Sequence, residues 1–545
     1  MGFANQKIWD DVVDKSVHGT WDIPEFQRGF VWKPEKVKSL VDSLWRDYPI
    51  GSLLVWNRPD YLSARAALGT QSPKLWIVDG QQRASSLCLI FGLKPFWWPV
   101  AQEWNEKLDE YDVLFNISSK IESLEFGLPN PVRRKEPNWV SVRKIVSVSK
   151  EQDLTKYALG LMKSLGKDIS TDQDTFSDIH SKIRSIWAIR NREIITVDIA
   201  QGIEDVVQIF ARLNQQGVQV KEADVYVALI AAEHPGWVRD ELLPFVRDLE
   251  DSGFDLEPGI FIRTITGIGE GKANLKEVSR DFIKSDNFAE YWQRARASIT
   301  EVLKRLNDKG ILSSDLLLSK NSLIPFFVLY DKFGREQKFD KAFHWFLLAN
   351  WDGRYSGSAI STLTEDFTKI KKATTSDEAI KSLEEPLNVP KEITPKELYG
   401  EYSKEDFVLL LTYLTIFKNG AKDWLSGVRI GYDRTTNVLN EGFKPEWHHF
   451  FPRGKRVLKG AGVPDERANA IANIAILNEK SNRVISSNPP DVYMTRLGIG
   501  KDLLEQQYIP IEPELWKIAN YDKFLDKRAE FLSIACNGYL TSLNA

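Results

Sequence analysis

The stretch "KLWIVDGQQRASSL", residues 74–87, runs from an apolar segment through Asp79-Gly80 into residues with helical character. "KLWIVDG" (74–80) reads as a short buried strand, and a helix is expected to start near Ala84. The turn between them carries Gly80, two glutamines and Arg83. A strand-to-helix turn of this kind presents backbone N–H groups and a cation at a helix N-terminus, where an anion such as phosphate is stabilised. Asp79 cannot bind phosphate itself. It can hold a metal ion, accept from a ribose hydroxyl, or orient Arg83. The same residues can equally tie the turn together through hydrogen bonds, and the bare residues leave both readings open.

Working outward, "GSLLVW" (51–56) and "REIITVDI" (192–199) read as further strands. "KPEKVKSLVDSLWRDYP" (33–49) reads as a helix with Pro34 in its first turn, because Val37, Leu40, Val41, Leu44 and Trp45 recur at the three-and-four spacing that buries one face. "GIEDVVQIFARLNQQG" (202–217) is expected to be a helix ending at Gly217, followed by another from 221 to 233. From there to about 390 the chain is mostly amphipathic helix, and the polar, proline-punctuated segment 374–397 is the best linker. The expected organisation is a domain at 1–230, a helical coupling region at 231–395 and a final domain at 396–545, α+β overall.

Composition bounds the function. The chain has 545 residues, 43% hydrophobic and 27% charged, which suits two or three soluble domains, and its 18 tryptophans call for a substantial interior. Its formal net charge of −4 excludes a wholly basic nucleic-acid wrapper but not a local basic patch. No membrane span or signal peptide is expected. Two distant cysteines, Cys88 and Cys536, form neither a disulfide framework nor a zinc site, so a cytoplasmic location is expected.

The second polar constellation is "EWHHFFPRGKR", residues 446–456, which uses two of the six histidines side by side. Asn473 and Asn482 follow in "NIAILNEKSN". Hydrolysis of a phosphodiester with one divalent metal needs a general base and a cation on the scissile phosphate. A neutral imidazole suits the base, and an asparagine carbonyl is an acceptable hard ligand. His18, His180, His234 and His344 have no such company and read as ordinary.

Four segments in order, "IPEFQRGFVW" (23–32), "YPIGSLLVW" (48–56), "VDGQQR" (78–83) and "FARLNQQGVQVKEADV" (210–225), resemble the N-terminal domain of GmrSD-type modification-dependent restriction proteins. The resemblance implies a ParB/sulfiredoxin-like fold with a nucleotide-binding loop at Asp79, Gly80, Gln81, Gln82 and Arg83. Gln27 and Arg28 are companions in that site, with Arg212 and Asn214 facing it or linking it to the helical region.

The final segment resembles the ββα-metal, or HNH-type, nuclease domain of the same proteins. His449-Phe450-Phe451-Pro452 matches its His-x-x-Pro signature and residues 473–482 match the following asparagine pattern. The resemblance implies His449 as general base, Asn473 orienting that imidazole, and His448 and Asn482 as metal ligands. Arg453, Lys455 and Arg456 would lie along DNA. His448 stands where that pattern usually has Asp, which makes Mn²⁺ or Ni²⁺ as credible as Mg²⁺ unless a carboxylate such as Glu446 or Asp465 joins the site.

Taken together, these features lead us to expect a nucleotide-responsive DNA endonuclease of anti-phage defence. It would act on modified phage DNA with a nucleoside triphosphate and a divalent metal, with a homodimer allowed. The rivals are a DNA-binding NTPase switch with a vestigial nuclease site and, ranked last, a toxin-like RNase.

Overall fold

The computed structural model describes the chain apart from residues 1, 25–28, 58–74, 99–100, 202–205, 207–208, 210–221, 235, 337, 358, 404–405 and 431–444. It is α+β and falls into two compact units, Met1–Asp240 and Glu241–Ala545.

The first unit is built on a five-stranded mixed sheet of β1 (Gly2–Lys7), β2 (Trp21–Asp22), β3 (Ser52–Asn57), β4 (Leu75–Asp79) and β8 (Glu193–Ile199), in the order β1-β8-β3-β4-β2. Strand β8 pairs antiparallel with β1 and parallel with β3, while β3 runs antiparallel to β4. The period of two explains why β3 is apolar from Leu53 to Trp56. Leu53 and Val55 enter the main core, whereas Leu54 and Trp56 join Trp76 and Val78 in a second cluster. A smaller sheet holds β5 (Leu114–Asn116), β6 (Phe126–Gly127) and β7 (Trp139–Ser141).

Helix α1 (Pro34–Trp45) starts at Pro34 as expected and buries Val37, Leu40, Val41 and Leu44. Helix α2 (Gln81–Phe91) begins immediately after Gly80, three residues earlier than the sequence suggests. The reason is Gly80 itself, which takes φ +91° and turns the chain in one step; a Cβ there would come within 2.5 Å of Leu53 Cδ2. The expected helix at 202–217, with Arg212 and Asn214, lies largely outside the described residues, as do Gln27 and Arg28.

The second unit is mostly helical. It contains α3 (Pro258–Gly269), α4 (Phe288–Asp308), α5 (Leu323–Phe333), α6 (Phe339–Trp351), α7 (Ala359–Lys372), α8 (Ser376–Glu384) and α9 (Phe407–Lys418). Helix α8 occupies part of the segment read as a linker. Thr375 caps it by accepting from Glu378 N, and Ala379, Ile380 and Leu383 give it a buried face beneath its polar surface. The sequence boundary expected at 395 thus falls inside one compact unit.

Toward the end of this unit, β9 (Pro445–His449) and β10 (Ile474–Asn478) form an antiparallel pair in which His449 stands opposite Ile474 and His448 opposite Ala475. Helix α10 (Glu479–Ile485) leaves directly from β10, and α11 (Tyr521–Asn544) packs behind the pair.

Candidate active site

Two side chains adjacent on a strand point to opposite faces, and that separates the roles open to His448 and His449. His448 turns inward and is 4% exposed. Its Nδ1 lies 2.7 Å from Asn482 Oδ1 on α10, while its Nε2 is buried with no hydrogen-bond partner among the described residues. Burial, outweighing the bond to Asn482, lowers its pKa to about 4.

His449 is half-buried, and its Nε2 lies 3.1 Å from Asn469 Oδ1. Burial first, then the charge of Arg453, lowers its pKa to about 4 against the raising effect of Asn469. Both rings are therefore neutral at pH 7. The Tyr402 ring stands edge-on to His449 at 5.4 Å.

The hydrogen bonds of the Asn473 side chain do not go to the His449 imidazole. Asn473 is fully buried and acts on the backbone. Its Oδ1 accepts from Phe451 N at 2.9 Å, and its Nδ2 donates to Phe451 O and Ala468 O at 3.0 and 2.9 Å. It thereby clamps the chain leaving β9, and the imidazole contact falls to Asn469 instead.

Further residues hold the hairpin. Asp423 accepts from Asn478 N at 2.8 Å and from Ser481 Oγ at 2.6 Å, tying the β10–α10 junction. Arg528 of α11, wholly buried, donates to Ala472 O at 2.9 Å and to Ile474 O at 2.7 Å. Gln507 donates to Ile476 O at 2.9 Å and accepts from Ile476 N at 2.8 Å. None of these carries a local sequence signal, because each bond joins residues at least 31 positions apart.

Arg453, Lys455 and Arg456 are exposed beside the hairpin, and Arg453 also donates to Asn469 Oδ1 at 2.9 Å. As for a metal, neighbouring ligands of one octahedral ion with roughly 2.1 Å bonds stand about 3 Å apart. The 2.7 Å between His448 Nδ1 and Asn482 Oδ1 is close to that spacing, and a cation would take the place of the hydrogen that Nδ1 donates to Oδ1. Among the described residues no group of three or more His, Cys, Asp and Glu is placed to hold a metal, so Glu446 and Asp465 complete no such set with His448.

In the first unit, Gln81, Gln82 and Arg83 form the opening turn of α2. Gln82 accepts from Val31 N and Trp32 N at 2.8 and 3.2 Å and donates to Gly29 O at 2.9 Å. Arg83 donates to Ser52 O at 2.5 Å, and its guanidinium packs where Gly51 leaves room. Burial lowers the Arg83 pKa and Asp79 opposes that shift. The turn therefore gathers three of the sequence segments singled out above: 23–32, 48–56 and 78–83.

Residues 10–231 match the model of the GmrSD restriction endonuclease N-terminal domain. The GmrSD match takes in the whole Gly80 turn and all but the first strand of the main sheet. The second unit lies wholly beyond it. A protein of Methanocaldococcus jannaschii named "Uncharacterized protein MJ0686" is 23% identical over 552 aligned positions, covering 93% of this chain and 90% of the relative. That likeness therefore runs through both units, whereas the GmrSD likeness concerns the first. Among the described residues, no helix is long and apolar enough to cross a membrane.

Proposed function

We propose that the protein is a nucleotide-responsive, metal-dependent DNA endonuclease that cuts modified DNA in anti-phage defence. The observation that carries this reading is the His449 imidazole, neutral and anchored through Nε2 on Asn469, beside the His448–Asn482 donor pair. His449 would take the proton of the attacking water. Asn473 would keep the strand exit rigid so that the imidazole stays in register. His448 and Asn482 would hold a divalent cation, which when bound supplies Lewis-acid stabilisation of the developing charge. Arg453, Lys455 and Arg456 would follow the DNA backbone.

The GmrSD-like first unit would bind, and hydrolyse, a nucleoside triphosphate at Asp79–Arg83, with its phosphates at the N-terminus of α2. Because both donors are neutral, Mn²⁺ or Ni²⁺ is expected to support faster cleavage than Mg²⁺.

One observation favours a second reading, a DNA-binding NTPase switch whose nuclease site is vestigial: among the described residues no group of three or more His, Cys, Asp and Glu is placed to hold a metal. A single experiment separates the two. Purified protein is incubated with unmodified DNA, phosphorothioate DNA and DNA carrying glucosylated hydroxymethylcytosine, with each of the four NTPs, in Mg²⁺, Mn²⁺, Ni²⁺ or chelator. Metal-dependent cutting of a modified substrate supports the nuclease. Folded protein that binds DNA and turns over NTP without cutting under any condition supports the switch.

A further inference from the structure

The polar side chains around Asn469 leave little freedom in who donates and who accepts. Asn469 Nδ2 lies 2.6 Å from Glu401 Oε1, and a carboxylate only accepts, so the amide nitrogen belongs on that side. Arg453 Nη1 lies 2.9 Å from the amide's other end, and a guanidinium only donates, so the atom there must be Oδ1. The two assignments are independent and agree. His449 Nε2 approaches the same Oδ1 at 3.1 Å, and an amide oxygen can only accept from it. The imidazole therefore carries its hydrogen on Nε2.

Glu401 and Asn469 are brought together by a strap far upstream of the hairpin. Residue 401 bridges to Ala470, Tyr402 N donates to Asn469 O at 2.9 Å, and Ile471 N donates to Gly400 O at 3.0 Å. Asn469 itself is 6% exposed. Its amide thus cannot rotate without leaving Glu401 facing an oxygen and Arg453 facing an N–H, both repulsive contacts in a partly dry site.

We infer that Asn469, set in orientation by Glu401 and Arg453, is a positioning residue that fixes His449 as the Nε2–H tautomer and leaves Nδ1 as the basic atom. This inference rests on the nuclease reading for its purpose but not for its test. It also gives Arg453 a task besides DNA contact.

The test uses full-length protein with ¹⁵N-labelled histidine, in chelator at pH 8, with long-range ¹H–¹⁵N spectra assigned by His449→Gln. In the wild type, the His449 Nδ1 resonance is expected at the position of an unprotonated ring nitrogen and Nε2 at that of a protonated one; the reverse pattern overturns the inference. In Asn469→Leu the two tautomers should mix, and kcat for DNA cleavage should fall roughly 10- to 100-fold with KM little changed. Asn469→Asp combined with Glu401→Gln, whose amide donates to the new carboxylate in place of the carboxylate–carboxylate clash, still accepts from Nε2–H, so the pair should restore the single tautomer and much of the rate. A folded Asn469→Leu protein with wild-type tautomer and rate overturns the proposal. Should that variant not fold, Glu401→Lys on the exposed strap is the second probe, and it is expected to raise the Nδ1–H population; an unchanged spectrum again overturns it. Wild-type protein that shows the assigned tautomer yet cuts no DNA removes the nuclease reading while leaving the tautomer assignment standing.

Discussion

The two polar constellations use similar side chains for different ends. At the Gly80 turn, Gln82 and Arg83 spend their hydrogen bonds on backbone atoms of residues 29–32 and 52, so they shape loops. At the hairpin, Asn473 does the same for the strand exit, but Asn469 passes the orientation of Glu401 and Arg453 to one ring nitrogen. The difference teaches that a glutamine- or asparagine-rich motif is not itself a site. What matters is whether its chain of donors and acceptors ends on a backbone atom or on a group able to exchange a proton.

The sharpest way to break this contrast is His449→Ala. Loss of a general base should reduce cleavage by about 10²–10⁴-fold in a protein whose folding and NTP binding are unchanged. Cleavage near the wild-type rate would move attention to His448. Next in size is Asn473→Ala. Three buried hydrogen bonds disappear, and two carbonyls and an N–H lose their partner, so urea unfolding should show a loss of roughly 2–4 kcal/mol. A loss well under 1 kcal/mol would mean that the clamp at the strand exit is dispensable.

For the first unit, Asp79→Ala and Arg83→Ala should each weaken NTP binding by about tenfold, the scale of one charge-assisted hydrogen bond. Isothermal titration with each of the four NTPs measures this. Unchanged affinity in both variants would leave the turn as a tie between loops and nothing more.

The smallest effect concerns pH. His448 has its pKa lowered from 6.5 to about 4 in the folded protein. Between these values the unfolded chain takes up a proton that the native state refuses, so stability is lost as pH falls. In chelator, the unfolding free energy from urea melts should decline from pH 6.5 toward pH 4, by roughly 1 kcal/mol per pH unit from this group. A flat profile over that window would show that His448 is not buried as a neutral ring.

Much of the first unit was legible because its signals are local. Pro34 and the apolar stripe mark α1, and the runs at 51–56, 74–80 and 192–199 coincide with β3, β4 and β8 to within a residue or two. Helix α8 was hidden because its buried apolar residues are only Ala379, Ile380 and Leu383, and the prolines that follow it suggested a linker. In the candidate site, the resemblance to the HNH-type pattern led us to expect His448 and Asn482 together, and the two side chains meet. The pattern could not assign the partner of His449. Asn469 and Asn473 lie four residues apart on the same segment, and the choice between them depends on a strap at 400–402 that no spacing rule reaches.

Gln507 carries a consequence for how copies of this protein behave together. Its side-chain amide imitates a peptide group, occupying both the N–H and the C=O of Ile476 on the side of β10 away from β9. Arg528 takes the carbonyl of Ile474 two residues earlier. A two-stranded ribbon with an open edge is a template for strand addition and aggregation. Here that edge is closed by two side chains, so the hairpin stays a solitary pair, and its register is locked because a slip by one residue would present the wrong backbone groups to the amide.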